Sequence, residues 1–419
     1  MCQPLPSAAD SPSVWLAGLA SLFVLAAGLP LVLRFGPAEA FRLAVFSLLP
    51  ALTLLAVMEG GLRLVTGAPR GLFAGLCRSG DVGLYPPNQR ILVPFGHRDY
   101  EVETNSHGLR GREVPLGRTP GAARLVALGD SFTEGFYVAN HETYPHQLED
   151  ILGQEHGLRA EVVNLARGGA TITHEMGNLI RHGLKFQPDL VLLQFCDNDI
   201  EHLKVFRREN FSLEKAASWG RVADYTGHVS TDRLQCFLAR TALGEAVMDL
   251  HLKWRHRLYR GQARGAAGQE PRYLEPGEVA ATWLGKKREE RAGRHNVLYE
   301  PFTPEIEQWI GDYLFYLERL AEVCRRNGVG LVFLFLPAPQ QVYDPESSLR
   351  VRDLLAAACH RLGAAFIDAT PEFKRLAREE NIYFAPYDFH LNARGNRFLA
   401  AHVAAELVGR GLLGEAPAR

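Results

Sequence analysis

No Cys-x-x-Cys pair occurs among the six cysteines, which lie scattered at Cys2, Cys77, Cys196, Cys236, Cys324 and Cys359. That spacing argues against a zinc site and against a dense disulfide framework, and it leaves the redox compartment undetermined. Cys324 and Cys359 fall in helical patterns and are expected to be small buried residues. Cys2 follows the initiator Met with no apolar signal region before it, so it is not read as a lipid attachment site. Net charge is equally scarce, with 46 Lys and Arg against 47 Asp and Glu. Without a basic field, nucleic acid is excluded as an expected partner.

Charge is absent altogether from Val14 to Leu33, twenty almost wholly apolar residues. At the helical rise such a run spans about 30 Å, the thickness of a bilayer core. It is too long for a signal-peptide core and has no basic region before it, so a transmembrane helix is expected at 14–33. A second apolar run, 43–58, sits between Arg42 and Glu59 and completes a transmembrane helical hairpin within residues 1–60. Arg34 and Arg42 lie between the two runs, whereas the tail before the first has no Lys or Arg. The positive-inside rule then places the hairpin turn in the cytoplasm and the main domain outside it.

Residues 61–122 are rich in Gly, Pro and Arg and contain short alternating stretches, as expected of a small β-rich linker. Within it, Thr104-Asn-Ser-His-Gly-Leu-Arg-Gly-Arg-Glu113 is read as a Gly-punctuated turn with solvated arginines, not as a means of bringing His107, Arg110 and Arg112 to a ligand. From 123 to 412 the pattern is α/β. Apolar runs at 124–128, 160–165, 190–195, 329–336 and 364–367 alternate with helical segments near 144–157, 171–186, 304–327 and 346–362. Strands alternating with helices imply a parallel sheet with right-handed crossovers. Five such strands fit a flavodoxin-like three-layer α/β/α sandwich of order 2-1-3-4-5. Residues 201–303 break the rhythm and read as a lid-like insertion after the third strand, whose basic runs at 253–257 and 286–288 are solvated helix faces.

In that strand order, ligands bind beyond the carboxyl ends of the strands, at the switch point between the first and third. Gly129-Asp130-Ser131 ends the first strand, Asn164-Leu-Ala-Arg-Gly-Gly169 follows the second, and Cys196-Asp-Asn-Asp199 follows the third. The N–H groups of Ser131 and Gly169 and the Asn198 amide would make a three-donor oxyanion hole. A serine hydroxyl needs a base, and the base needs an orienting partner. Asp388-Phe-His390 supplies both from one loop, with Asp388 on one ring nitrogen and the other facing Ser131. Asp130 and Asp199 are read as turn or cap residues.

Ser131 in Gly-Asp-Ser, Gly169 after Asn164, Asn198 in Asn-Asp, and Asp388-x-His390 with Asn392 and Gly395 resemble, in order, the four sequence blocks of the SGNH (GDSL-type) hydrolases. The apolar N-terminus and the Asn-x-x-Gly-Leu-Arg-Gly stretch resemble a bacterial membrane-anchored subgroup. One departure is Cys196, where the third block usually has Gly. The resemblance implies the SGNH fold and a serine esterase with catalytic Ser131, Asp388 and His390, needing no metal or cofactor. Its substrate would be a small-molecule, lipid or glycan ester, processed at the bacterial inner membrane by an extracytoplasmic domain, with cell-envelope assembly partners possible. Two alternatives stand beside it: an O-acyltransferase modifying a cell-envelope polysaccharide or lipid, and an inactive glycan-binding or scaffolding module.

Overall fold

The computed structural model describes residues 101–203, 274–281, 297–385 and 388–413 continuously, with 52–65, 84–85, 87–95, 98–100 and single positions in 42–50, 208–216 and 241–250. The chain divides into two compact units, Met1–Arg78 with Thr226–Arg255, and Ser79–Tyr225 with His256–Arg419. In the first, residues 52–65 are helical, running past the end expected at Met58. Glu59 on this helix accepts the backbone N–H groups of Ala242 and Leu243, each at 2.9 Å. The stretch read as one insertion, 201–303, is therefore divided between the units, and most of it lies outside the described residues. So does the apolar run 14–33, and no helix among the described residues is long and apolar enough to cross a membrane.

The second unit is built on a five-stranded sheet. Its strands are β3 (Ala123–Leu128), β4 (Ala160–Asn164), β5 (Leu190–Phe195), β6 (Gly330–Phe335) and β7 (Ala365–Asp368), in the order β4-β3-β5-β6-β7. Every pairing is parallel, and the order is the 2-1-3-4-5 expected. Before it, β1 (Arg90–Phe95) and β2 (Arg98–Glu103) form an antiparallel pair in the linker, with Arg90 opposite Glu103.

The period-2 alternation of side chains splits the core in two. Val126, Leu128, Val191 and Leu193 face one side, against α3 (Ile172–Arg181), α5 (Pro304–Arg326) and α7 (Arg350–Leu362). Leu125, Ala127, Leu190 and Leu192 face the other, against α2 (Tyr144–Gln154), α8 (Thr370–Leu376) and α9 (Ala393–Gly409). A sheet buried on both faces accepts polar strand positions only where they find partners, as Gln194 does with Thr133, which is why these runs are nearly continuous in apolar residues. Cys324 and Cys359 are buried in the first layer, as expected.

Three helices depart from the sequence pattern. The segment expected as one helix at 171–186 breaks after α3 into a 3-10 turn, Gly183–Phe186. Gly183 packs so tightly that a Cβ there would lie 2.9 Å from Leu179 Cδ1 and 3.1 Å from Leu165 Cδ2. The segment expected at 346–362 begins at Arg350 and is preceded by the short α6 (Pro339–Tyr343). The helix α8 was not anticipated, although Thr370-Pro371-Glu372 is a helix start with Pro in the first turn.

At the start of α9, a Cβ on Gly395 would lie 2.3 Å from the Ile382 carbonyl oxygen, a backbone atom that cannot swing away. Gly395→Ala is expected to lower stability by about 1–3 kcal/mol, the usual cost of overpacking. The midpoint of chemical unfolding measures it, and an unchanged midpoint would contradict this packing.

Candidate active site

The strand β3 gives way to Gly129, whose φ of +155° and crowding against Thr133 Oγ1 (2.3 Å from a Cβ) admit no side chain. Asp130 then caps α1 (Ser131–Glu134) by accepting the Phe132 N–H at 3.0 Å. Gly135, at φ 88°, closes the helix with its N–H on the Ser131 carbonyl. The turn thus holds Ser131 at the first helical position, beyond the carboxyl end of β3 and between the ends of β4 and β5.

His390 arrives from the far end of the sequence. Its loop is pinned by Phe384 N–H on the His390 carbonyl (3.0 Å) and Asn392 N–H on the Ile382 carbonyl (3.0 Å). Asn392 caps α9 through the Gly395 N–H, and Asn396 accepts the Tyr144 N–H, tying α9 to α2. His390 Nε2 lies 2.7 Å from Ser131 Oγ, and Nδ1 lies 2.5 Å from Asp388 Oδ1. Asp388 Oδ1 also accepts the His390 backbone N–H at 2.9 Å. Burial by itself would raise the Asp388 carboxyl, but the hydrogen bond and charge of His390 outweigh it and hold it below the usual value. An ionised Asp388 makes Nδ1 the protonated nitrogen and leaves Nε2 to accept the serine proton.

Aromatic rings surround the imidazole: Phe389 stacks at 4.6 Å, Phe132 lies at 4.8 Å, and Tyr137 meets it edge-on at 5.3 Å. Tyr137 holds a φ of +67°, a strained conformation for a non-glycine residue.

The loops after β4 and β5 supply the other residues. Arg167–Ala170 is a tight turn closed by Ala170 N–H on the Arg167 carbonyl (2.8 Å), and Gly169 has the positive φ, 73°, that its third position requires. Asn164 donates to the Thr133 carbonyl at 3.0 Å and so joins this loop to the helix that carries Ser131. Asn198 opens the short helix α4 (Asn198–His202) and donates from Nδ2 to Asp130 Oδ2 at 3.1 Å. The Cys196 thiol lies within hydrogen-bond reach of Asn198 Oδ1 (2.5 Å) and Asp130 Oδ2 (3.3 Å). Burial and the neighbouring acids push that thiol far up, so it stays protonated and available as a donor. The cysteine standing in the glycine's place thus orients the amide, oxygen to the thiol and NH₂ to Asp130.

Asp199 accepts the Cys196 N–H at 2.9 Å, the turn-forming one of the two roles expected of it. Asp130 does more than expected, since one oxygen caps α1 while the other holds the loop after β5. His174 sits beside Thr171 at the start of α3, its Nδ1 accepting the Thr171 N–H. Among the described residues, no group of three or more His, Cys, Asp or Glu side chains is arranged to hold a metal ion.

One expectation is overturned. Of the two arginines in 104–113, Arg112 is exposed as expected, but Arg110 is 4% exposed and reaches into the site's scaffold. It donates to the carbonyls of Glu134 (3.0 Å), Gly135 (2.5 Å) and Val138, and to Asn140 Oδ1 (2.9 Å). Arg112 pairs with Glu149 and Asp150, each at 2.6 Å. The local signal was real, since Asn105 Oδ1 bonds the N–H groups of His107 and Leu109 and makes the turn, but the destination of Arg110 is fixed only by tertiary packing. Sequence reasoning also missed Glu134, which is buried beside the Arg167–Ala170 turn.

Arg110→Met would leave three carbonyls without this donor, at about 1–3 kcal/mol for each that stays buried and unpaired. It is expected to lower the unfolding midpoint and slow labelling of Ser131 by a fluorophosphonate. Unchanged values of both would contradict the role of Arg110.

Residues 127–398 match the family model described as GDSL-like Lipase/Acylhydrolase. Among solved structures, the chain is similar to LAE5, an alpha/beta hydrolase enzyme from the metagenome of Lake Arreo, Spain, at 15% identity and TM-score 0.36 over 70% of this chain and 96% of that one. It is similar to the lipase/acylhydrolase from Enterococcus faecalis at 12% identity and TM-score 0.36, covering 69% and 96%. It is similar to the acetyl xylan esterase AlAXEase at 11% identity and TM-score 0.37, covering 68% and 99%. No curated protein matches the chain.

Proposed function

The chain belongs to the GDSL-like lipase/acylhydrolase family, as a serine esterase of the SGNH type, and on that premise we propose that Ser131, His390 and Asp388 cleave an ester through an acyl-enzyme. The observation that carries this reading is His390, bonded to Ser131 Oγ at 2.7 Å through one nitrogen and to Asp388 at 2.5 Å through the other. His390 Nε2 takes the Ser131 proton as Oγ attacks the ester carbonyl, and the carbonyl π pair moves onto oxygen. The Ser131 and Gly169 N–H groups and the second N–H of Asn198 Nδ2 receive that oxyanion. Collapse breaks the bond to the alcohol, which leaves with the proton held by His390. Water, deprotonated by the same nitrogen, attacks the acyl-enzyme and releases the acid.

The substrate class is a small-molecule, lipid or glycan ester, handled at the bacterial inner membrane with the catalytic unit outside the cytoplasm. Surface composition supports the membrane seat. Of the large hydrophobic side chains exposed among the described residues, only Leu116 belongs to the second unit. The others, including Leu54, Val57, Leu64, Val65, Val247 and Leu250, belong to the first. Apolar exposure of that extent on one unit marks a surface that is covered in the cell.

Ser131→Ala is expected to abolish hydrolysis of short-chain p-nitrophenyl esters. Asp388→Asn, which favours the wrong imidazole tautomer, is expected to lower kcat on the order of 10⁴-fold. Parent-like turnover by Ser131→Ala would refute the assignment. An impermeant fluorophosphonate should label the protein equally in intact and permeabilised spheroplasts; labelling only after permeabilisation would place the site in the cytoplasm.

A further inference from the structure

The mechanism leaves unused the carboxyl group of Glu134, which lies on the same short helix as Ser131. It ends α1, three residues after Ser131, and is 3% exposed. A carboxylate that deep is costly unless its oxygens are occupied, and these are. Oε2 accepts the Gly168 N–H at 2.5 Å, and Oε1 accepts Arg167 Nη1 at 3.1 Å together with the Tyr85 hydroxyl. The Glu134 backbone carbonyl in turn accepts Arg110 Nη1 at 3.0 Å.

These bonds converge on the turn Arg167–Ala170. Three contacts define it: the closing bond from Ala170 to Arg167, the Arg167 N–H on the Gly129 carbonyl (3.1 Å), and the Gly168 N–H on Glu134. None of them uses the Gly169 N–H. In such a turn the peptide joining the two central residues is the soft variable, because it can rotate between turn types while the ends stay in place. Two adjacent glycines resist that rotation least. A bond to the N–H of the first central residue, from a carboxylate on the helix of Ser131, fixes the preceding peptide plane, the base from which the central peptide turns, and so narrows that freedom. It also registers the turn directly against Ser131. Gly168 is pressed from the other side as well, since a Cβ there would lie 2.3 Å from the Phe136 ring.

We infer that Glu134 is a positioning residue for the oxyanion hole, its carboxylate locking the Arg167–Ala170 turn so that the Gly169 N–H points at the developing oxyanion. This rests on the acyl-enzyme reading of Ser131. Arg110 and Arg167 offset the negative charge that Glu134 would otherwise place beside an oxyanion. Burial pushes the Glu134 carboxyl up to about 7, while the Gly168 N–H and Arg110 act against that rise. A side chain held there against its own solvation is one whose hydrogen bonds compensate for it.

The test uses the full chain in detergent, with active sites counted by the fluorophosphonate burst so that misfolded protein does not enter kcat. Glu134→Ala is expected to lower kcat per titrated site on the order of 10²-fold with KM for p-nitrophenyl acetate changed less than about threefold, the signature of a lost transition-state donor. Affinity for a trifluoromethyl ketone, whose hemiketal mimics the tetrahedral intermediate, should weaken in parallel. Glu134→Gln keeps an acceptor for the Gly168 N–H and should recover to within about tenfold of the parent kcat, a conservative rescue expected of a positioning hydrogen bond. A purely structural role would reduce the number of titratable sites and leave kcat per site and ketone affinity unchanged, which would overturn the inference. If the alanine variant does not fold, Glu134→Met, which keeps the volume and removes the acceptor, decides: an unchanged kcat per site and ketone affinity sink the proposal, and a parallel loss of both sustains it. Activity persisting in Ser131→Ala would mark failure of the acyl-enzyme reading itself, whereas an inactive Ser131→Ala with a parent-like Glu134→Ala would refute the role of Glu134 alone.

Discussion

The seven residues from Gly129 to Gly135 have almost no conformational freedom, and the site depends on that constraint. A strand that must end, turn and start a helix within three residues exposes backbone groups that burial would leave unpaired. Here each is answered from a different part of the chain. Asp130 supplies the cap, Arg110 takes the carbonyls of Glu134 and Gly135, and Asn164 takes that of Thr133. Thr133 in turn donates to Gln194 on β5 at 2.7 Å. A serine held by so many unrelated segments can wait in one rotamer for a base that comes from 259 positions away.

Charge placement follows the same logic. The second unit buries several acids around this turn, and burial drives their carboxyls upward: Asp197 to about 6, and Glu175 and Asp199 well above the ordinary range. Asp388 is the exception, because His390 answers it directly. Asp388 thus stays ionised on the Nδ1 side of the imidazole. Arg110 and Arg167 bring positive charge to Glu134, beside the Arg167–Ala170 turn.

The scaffold was largely legible in the chain, because its signals are local and periodic. Short apolar runs with helices between them specify a parallel sheet, and right-handed crossovers leave few strand orders. Gly129-Asp130-Ser131 and Asp388-Phe-His390 were legible because each motif carries its own geometry: a cap in one, a carboxylate two residues from an imidazole in the other. Helix boundaries were less so. Whether 171–186 continues as one helix depends on how closely Gly183 approaches Leu165 across the layer, a distance no local pattern encodes.

What the sequence determined by itself is therefore the layer architecture, the strand order and the identity of the serine, the histidine and the aspartate. Periodicity and short-range hydrogen bonding are properties of neighbouring residues. What only the tertiary structure decided is the fate of the charged residues: Arg110, which reads as a solvated loop arginine, is buried under the nucleophile turn, and Glu134 is locked to the glycine turn after β4. A charged side chain goes where enough partners offset its desolvation. Those partners, from Tyr85 to Gly168, meet only once the chain has folded.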